Sequence, residues 1–308
     1  MTDIETLIKK AGRVAVLYGG TSSERSVSLA SGAAVVHALR EKGFDVLPLD
    51  LRDEPLQQIL AAKPDTAFIA LHGPGGEDGK IQALLEFLGI PYTGSGVAAS
   101  ALCMDKLRTK QLWRGVDLPT PDYFVLTENT NWHNVMALGE EVIVKPCHDG
   151  SSYGITRVCD ESELANAFHE ASKFDQLVIA ERFIRGGEYT VAILGDRALP
   201  PIKLETDHRI YDFDAKYTSN DTRYLCPCGL DERKTLELQE LALAAFYAVG
   251  ARGWGRVDVM EESGEFYLLE INTVPGMTDH SLVPIAAKAE GCDFNSLVVN
   301  ILQKAVKI

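Results

Sequence analysis

The feature that most limits what this chain can fold into is the order of elements in residues 1–95: strand, helix, strand, helix, strand, helix. Residues 14–18 form an apolar run broken by Gly19 and Gly20, and Ser22 or Ser23 can cap a helix that runs to about Glu41. Strands follow at 45–49 and 66–71 around a helix at 56–61, and a helix at 80–88 stops at Gly89. Strands joined through a helical crossover run parallel. The opening third is therefore expected to be a parallel sheet with helices on its faces.

The pattern changes at Gly96. A helix through Leu102 and Leu112 leads to Pro119-Thr120-Pro121. Strands at 141–145, 155–158 and 176–181 then surround a helix at 161–172, for which Asp160 and Glu163 make a capping box. Residues 96–184 read as a small α+β unit, and Arg185-Gly186-Gly187 as a hinge. Residues 185–308 carry strands at 189–194 and 198–204, a long polar loop at 208–228, and a helix at 232–249. Two more strands follow at 255–260 and 265–272, then helices at 282–289 and 294–306. A loop as long as 208–228 inside a compact unit is usually a lid, and closure over the site is expected of it.

Composition narrows the function. A net charge of −14 argues against nucleic acid, whose phosphates need a basic surface. No apolar stretch is long enough for a membrane helix, and the N-terminus lacks a signal-type core, so a cytoplasmic address is expected. The six cysteines are scattered, and Cys226-Pro227-Cys228 has no second close Cys/His pair to complete a zinc site.

Three constellations carry chemistry. The first is the strand pair near the C-terminus, with Arg256 and Asp258 on one strand and Glu270 and Asn272 on the other. Side chains two apart share a face. A three-residue loop centred on Ser263 or on Gly264 brings both pairs onto one face, and the second choice sets Asp258 opposite Glu270. A one-residue slip would separate them. Two carboxylates, an amide oxygen and a guanidinium suit Mg²⁺ held against a polyphosphate; the plainer alternative is a solvated face with a salt bridge. The second constellation is a strand delivering Lys145 into a loop from Cys147 to Gly154, whose backbone N–H groups can close over phosphate oxygens. Gly150–Gly154 also fits the nucleophile-elbow spacing, but that motif needs a helix after it, and Ile155-Thr156-Arg157-Val158 reads as strand. The third is the glycine turn before Glu24. A helix N-terminus attracts anions, yet Glu24 is itself an anion there. It either complements the helix dipole or grips an ammonium. No P-loop is present, and Gly94-Ser95-Gly96-Val97-Ala98-Ala99 follows too short a strand for a dinucleotide fingerprint.

Several ordered motifs together resemble the D-alanine–D-alanine ligase family of the ATP-grasp superfamily. They are GGTSSERSVSLASG from Gly19, ALHGPGGEDG from Ala70, YTGSG from Tyr92, MDK ending at Lys106, and VIVKPCHDGSSYG from Val142. YDFDAKY from Tyr211, GWGRVDV from Gly253 and EINTVPGMTDHSLVP from Glu270 complete the set. The resemblance implies an α/β fold of three domains, 1–95, 96–184 and 185–308, with ATP between the central and C-terminal ones. It implies that ATP phosphorylates one D-alanine and that the amine of a second displaces phosphate, in a step of peptidoglycan precursor synthesis. By the same resemblance Asp258, Glu270 and Asn272 hold two Mg²⁺ ions, for which Mn²⁺ can substitute. Arg256 stabilises the oxyanion. Lys106, Lys145, Ser152, Glu181, Arg182, Phe183, Ile184, Glu188 and Lys216 contact ATP. Glu24, linked to Ser151 and Tyr217, anchors the first ammonium near His72, while Gly276, Ser281 and Leu282 form the second subsite. A homodimer acting on small molecules is expected. Arg182 stands where relatives usually carry lysine, and Cys147 and His148 are also unusual. The nearest rivals are ligases that take D-lactate or D-serine second, against which Lys216-Tyr217 argues, and a catalytically silent nucleotide-binding module, which the intact acid and amide set disfavours.

Overall fold

A computed structural model of the chain describes residues 3–148, 154–205, 222–278 and 280–306. A first helix, α1 (Asp3–Ala11), which the sequence pattern did not suggest, precedes the alternating unit. That unit then follows expectation: β1 (Arg13–Tyr18), α2 (Arg25–Glu41), β2 (Asp45–Asp50), α3 (Pro55–Ala62), β3 (Thr66–Ile69) and α4 (Lys80–Phe87). Its strands pair in parallel in the order β2-β1-β3, and a parallel bridge from Ala67 to Tyr92 adds an edge. Val14, Ala15, Val16 and Leu17 are all buried because helices cover both faces of the sheet.

The single helix expected after Gly96 is two. α5 (Val97–Met104) ends at Asp105, whose extended backbone turns the chain and whose carboxylate caps α6 (Lys106–Gly115) by accepting the Arg108 N–H at 2.9 Å. Lys106 therefore opens a helix. Trp113 of α6 is fully buried in the apolar core that holds Val191, Phe246 and Val257, and its indole donates to Ala245 O.

β4 (Tyr123–Leu126), α7 (Trp132–Met136), β5 (Val142–Pro146), β6 (Thr156–Val158), α8 (Glu161–Ala171) and β7 (Val178–Arg182) make an antiparallel sheet in the order β4-β7-β5-β6. The capping box at α8 is displaced by one residue. Asp160 accepts from Ser162 N, and Glu163 reaches back to Cys159 N rather than to Asp160. After Gly154 the chain continues as β6, not as the helix that a nucleophile elbow needs.

The last unit holds β8 (Gly187–Leu194), β9 (Arg197–Ala198), β10 (Ile202–Glu205), β11 (Arg223–Leu225), α9 (Glu232–Ala248), β12 (Trp254–Glu262) and β13 (Glu265–Asn272). It closes with α10 (Leu282–Ala289) and α11 (Phe294–Ala305). Its sheet runs β11-β10-β8-β12-β13, with β9 beside β8. The segment expected as a hinge is a place of close backbone approach. A Cβ on Gly186 would lie 1.8 Å from Glu261 O, so the residue is glycine because two backbones touch there. Arg185 N and Arg182 both bind Glu262 at that point.

One apolar core joins the parallel sheet to the far unit: Val16, Phe68 and Ile69 belong to the same cluster as Ala192, Trp254, Met277 and Ile301. The four-stranded sheet has its own core under α8, built from Val142, Val144, Leu164 and Val178. Among the described residues no helix is long and apolar enough to cross a membrane.

Candidate active site

The polar face of β12 and β13 forms by a route the sequence analysis did not anticipate. The loop between β12 and β13 has two residues, Ser263 (φ 56°) and Gly264 (φ 88°), both left-handed, as a type I′ turn demands. Glu262 pairs with Glu265, so an unbroken ladder would set Asp258 opposite Leu269. A bulge intervenes: Val259 pairs with Leu268, but Asp258 pairs with Glu270 and Arg256 with Asn272. The extra residue, Leu269, corrects the slip. Val257, Val259, Phe266, Leu268 and Ile271 then point into the core, leaving the four polar side chains together on the opposite face.

Asp258 is the hub of that face. Its Oδ1 accepts from Thr190 Oγ1 at 2.6 Å and from Arg256 Nε at 2.8 Å. Its Oδ2 accepts from Arg256 Nη2 at 2.7 Å and from Asn272 Nδ2 at 3.0 Å. Thr190, on β8 directly opposite Asp258, was not singled out from the sequence and becomes visible only through register. Glu188 faces the same way, opposite Met260.

Lys106, at the start of α6, reaches to 3.2 Å from Glu270 Oε2. Burial works against its charged form, but Glu270 holds its pKa above the usual lysine value. The Lys106 N–H donates to Cys147 O, which brings α6 to the end of β5, where Lys145 pairs with Glu181 at 2.9 Å. His148 has its Nδ1 2.8 Å from Asp175 and its Nε2 3.0 Å from the capping residue Asp105. This gives the unusual histidine a place: it ties the end of β5 to the cap of the helix bearing Lys106. Arg182 binds Glu262 and lies over the Tyr267 ring at 5.0 Å. Phe183 lies under the Arg157 guanidinium at 4.0 Å, and Ile184 is buried.

The opposite wall comes from the parallel sheet. Glu24, buried, occupies the N-cap of α2, one residue ahead of the helix, and its side chain makes no capping bond; Ser22 instead accepts the Glu24 N–H and donates to His72 O. His72 Nδ1 is 2.8 Å from Val274 O, which can only accept, so that nitrogen carries the proton. In the neutral ring that burial favours, Nε2 then accepts from Ser31 Oγ at 3.0 Å, whose oxygen also receives Met277 N. His72 is thus a neutral clamp on the loop between β13 and α10. Burial lowers its pKa, with Glu24 opposing. Glu77, which no sequence pattern assigned, grips the same loop: Oε1 accepts Val274 N at 3.1 Å and Oε2 accepts Gly73 N at 2.7 Å. Burial, with Glu24 close by, pushes Glu77 up to about 8, and Arg256 lies near enough to bias both Glu77 and His72. Further along that loop, a Cβ on Gly276 would sit 2.9 Å from Ser281 Oγ, so glycine makes room for that hydroxyl. Ser281 occupies the N-cap position of α10 without a side-chain capping bond, its hydroxyl accepting from Thr278 N instead, and Leu282 is the first residue of the helix.

Stability should follow the Glu77 proton. The folded state keeps it where the unfolded chain has released it, so stability falls as pH rises from about 4.5 towards about 8, by up to roughly 1.4 kcal/mol per pH unit. His72 acts at the acid end, where the unfolded chain takes up a proton that the folded state refuses. Glu77→Gln should flatten the loss of thermal midpoint between about pH 4.5 and about 8 and leave the profile below that window unchanged. An unaltered slope across that window would assign it to another group.

Ser151, Ser152, Lys216 and Tyr217 lie outside the described residues, as does most of the loop 208–228.

Against known families, residues 13–58 and 53–95 match the D-ala D-ala ligase N-terminus, and residues 112–303 match the D-ala D-ala ligase C-terminus. The chain belongs to the D-alanine–D-alanine ligase family. It is 58% identical over 297 residues to the D-alanine–D-alanine ligase of Saccharophagus degradans, covering 96% of this chain and 95% of that one. It is 55% identical over 301 residues to the ligase of Pseudomonas entomophila, covering 97% and 95%. The crystal structure of the Bacillus anthracis D-alanine–D-alanine ligase superposes with a TM-score of 0.87 at 36% identity, over 96% of this chain and 97% of that one. A Bacillus anthracis D-alanine–D-alanine ligase structure complexed with ATP gives 0.85 at 32% identity, with the same coverage. The fold of this D-alanine–D-alanine ligase family member is therefore ATP-grasp, as the motifs implied.

Proposed function

We propose that the chain joins two D-alanine molecules into D-alanyl-D-alanine, using ATP and releasing ADP and phosphate, to supply peptidoglycan precursor. The observation that carries this reading is, in a chain of this family, an acid and amide face with Lys106 beside its Glu270, adjoining the loop after β13 that His72 clamps. A carboxylate oxygen of the first D-alanine attacks the γ-phosphorus and ADP leaves. The amine of the second then attacks the acyl carbon, phosphate leaves, and the ammonium proton is lost.

The residues divide this work. Lys106 and Lys145 neutralise phosphate oxygens, and Glu181, Arg182, Phe183, Ile184 and Glu188 line the nucleotide side, with Ser152 and Lys216 completing it. Glu24, with Ser151 and Tyr217, receives the first ammonium, and His72 fixes the loop beside it. Ser281 and Leu282, at the start of α10, would receive the second carboxylate, with the helix dipole favouring the anion and Gly276 leaving room. Arg256 donates to the oxygen that gains charge at the acyl carbon. Asp258, Glu270 and Asn272 would hold Mg²⁺, two ions in all, with Mn²⁺ as a substitute. The donor set fits, since these are hard oxygens on one face. Among the described residues no three acidic, His or Cys groups could hold an ion unaided, so phosphate and water oxygens would complete the shell. Bound there, the ions supply positive charge to the phosphoryl group. The division into units 1–95, 96–184 and 185–308, a homodimer and a cytoplasmic setting belong to the same reading.

A coupled phosphate-release assay tests it. D-Alanine alone should support turnover. L-Alanine should not, and D-lactate or D-serine paired with D-alanine should be slower than D-alanine itself. No release with D-alanine would refute the proposal, and faster release with D-lactate would move the chain to the ester-forming type.

A further inference from the structure

Behind Lys145 lies a second ammonium that the reaction as described does not use. Lys110, on α6, is 0% exposed. Its Nζ donates to Thr120 Oγ1 at 2.6 Å and stands 3.0 Å from Glu181 Oε1, an ion pair rather than a directed hydrogen bond. The other oxygen of Glu181 lies 2.9 Å from Lys145 Nζ. Thr120 in turn donates to Leu268 O at 2.8 Å, one residue before the bulge. An ammonium taken wholly out of water is unfavourable unless something specific holds it there. Here two lysines share one carboxylate, so the trio carries a net charge of about +1 when all are ionised.

That surplus has a direction. Glu181 paired with Lys145 alone would cancel its charge and compete with any phosphate for it. With Lys110 taking half of the carboxylate, Lys145 keeps charge to offer. We infer that Lys110 is a positioning residue for ligation, acting through Glu181 so that Lys145 meets the nucleotide phosphate as a cation. The inference rests on the reading in which Lys145 contacts ATP. Burial pulls Lys110 down to about 8, with Glu181 opposing, which agrees with a cation held in place by its partner.

The test is ATP binding by calorimetry with Mg²⁺ present, alongside steady-state kinetics, on the full chain. Lys145→Met should weaken ATP binding; if it does not, the phosphate reading fails and the Lys110 inference with it. Given that loss, Lys110→Met should weaken ATP binding about tenfold while the KM for D-alanine stays within about twofold. The double variant Lys110→Met/Glu181→Gln should bind ATP within about twofold of Glu181→Gln alone, because a neutral Glu181 no longer needs offsetting. A residue serving only packing would show no such rescue. Wild-type affinity in Lys110→Met, or a double variant about tenfold weaker than Glu181→Gln, overturns the inference. Where Lys110→Met does not fold, the comparison of the double variant with Glu181→Gln decides alone. A double variant that fails to fold while Glu181→Gln folds assigns Lys110 to stability only and overturns it too.

Discussion

Replacing Glu270 with Gln is expected to lower turnover by about a hundred- to a thousandfold, or roughly 3–4 kcal/mol of transition-state stabilisation. The glutamine keeps the length and shape of the side chain and remains opposite Asp258, so the hairpin should keep its register. What it removes is one of the two carboxylates on the polar face, and the anion that sustains the Lys106 charge at 3.2 Å. Both changes weaken charge neutralisation where a phosphoryl group would transfer. The defect should appear in kcat at saturating Mg²⁺ and ATP, with a thermal midpoint close to that of the unaltered chain. Near-normal turnover under those conditions would remove Glu270 from the metal set.

Replacing Glu24 with Gln should damage the first substrate subsite by a comparable factor. A half-buried ammonium needs a fixed opposite charge, and stripping the partner from a buried pair costs about 3–5 kcal/mol. Glu24 is placed for that: it is buried, it makes no cap bond, and its charge reaches His72 and Glu77. The KM at the first subsite should rise steeply and that at the second far less. A substrate analogue without the amine should lose less in the variant than in the unaltered chain, and the cycle of enzyme change against substrate change measures the coupling. A coupling energy near zero would reduce Glu24 to a helix-dipole residue.

Much of this was legible in the residues. The alternating unit showed in the apolar runs around Gly19 and Gly89, and the polar face in the two-residue spacing of Arg256/Asp258 and Glu270/Asn272. The bulge also left a trace. Phe266 and Leu268 keep period two, but the next buried position is Ile271, three residues on, and a strand cannot make that step without an extra residue. The split at Asp105 was signalled by an aspartate ahead of a helical run, but the apolar pattern of 97–113 continues across it. Short elements such as β4 and α7 carry too few residues for periodicity to speak. Thr190, Glu77 and Lys110 were hidden for another reason. Each acts through a partner 68, 197 or 71 positions away, and no local pattern encodes such pairings.

The bulge also bears on inheritance. In the hairpin of β12 and β13, losing Leu269 would leave Val259 against Leu268 and Asp258 against Glu270, since the extra residue has no partner of its own. Losing or gaining one residue at Ser263-Gly264 would instead carry every polar side chain of that face on one strand to the wrong side of the sheet. Length changes among descendants of this chain should therefore be forgiven at one position of the hairpin and eliminated at its tip, unless a second change in the strand restores the count.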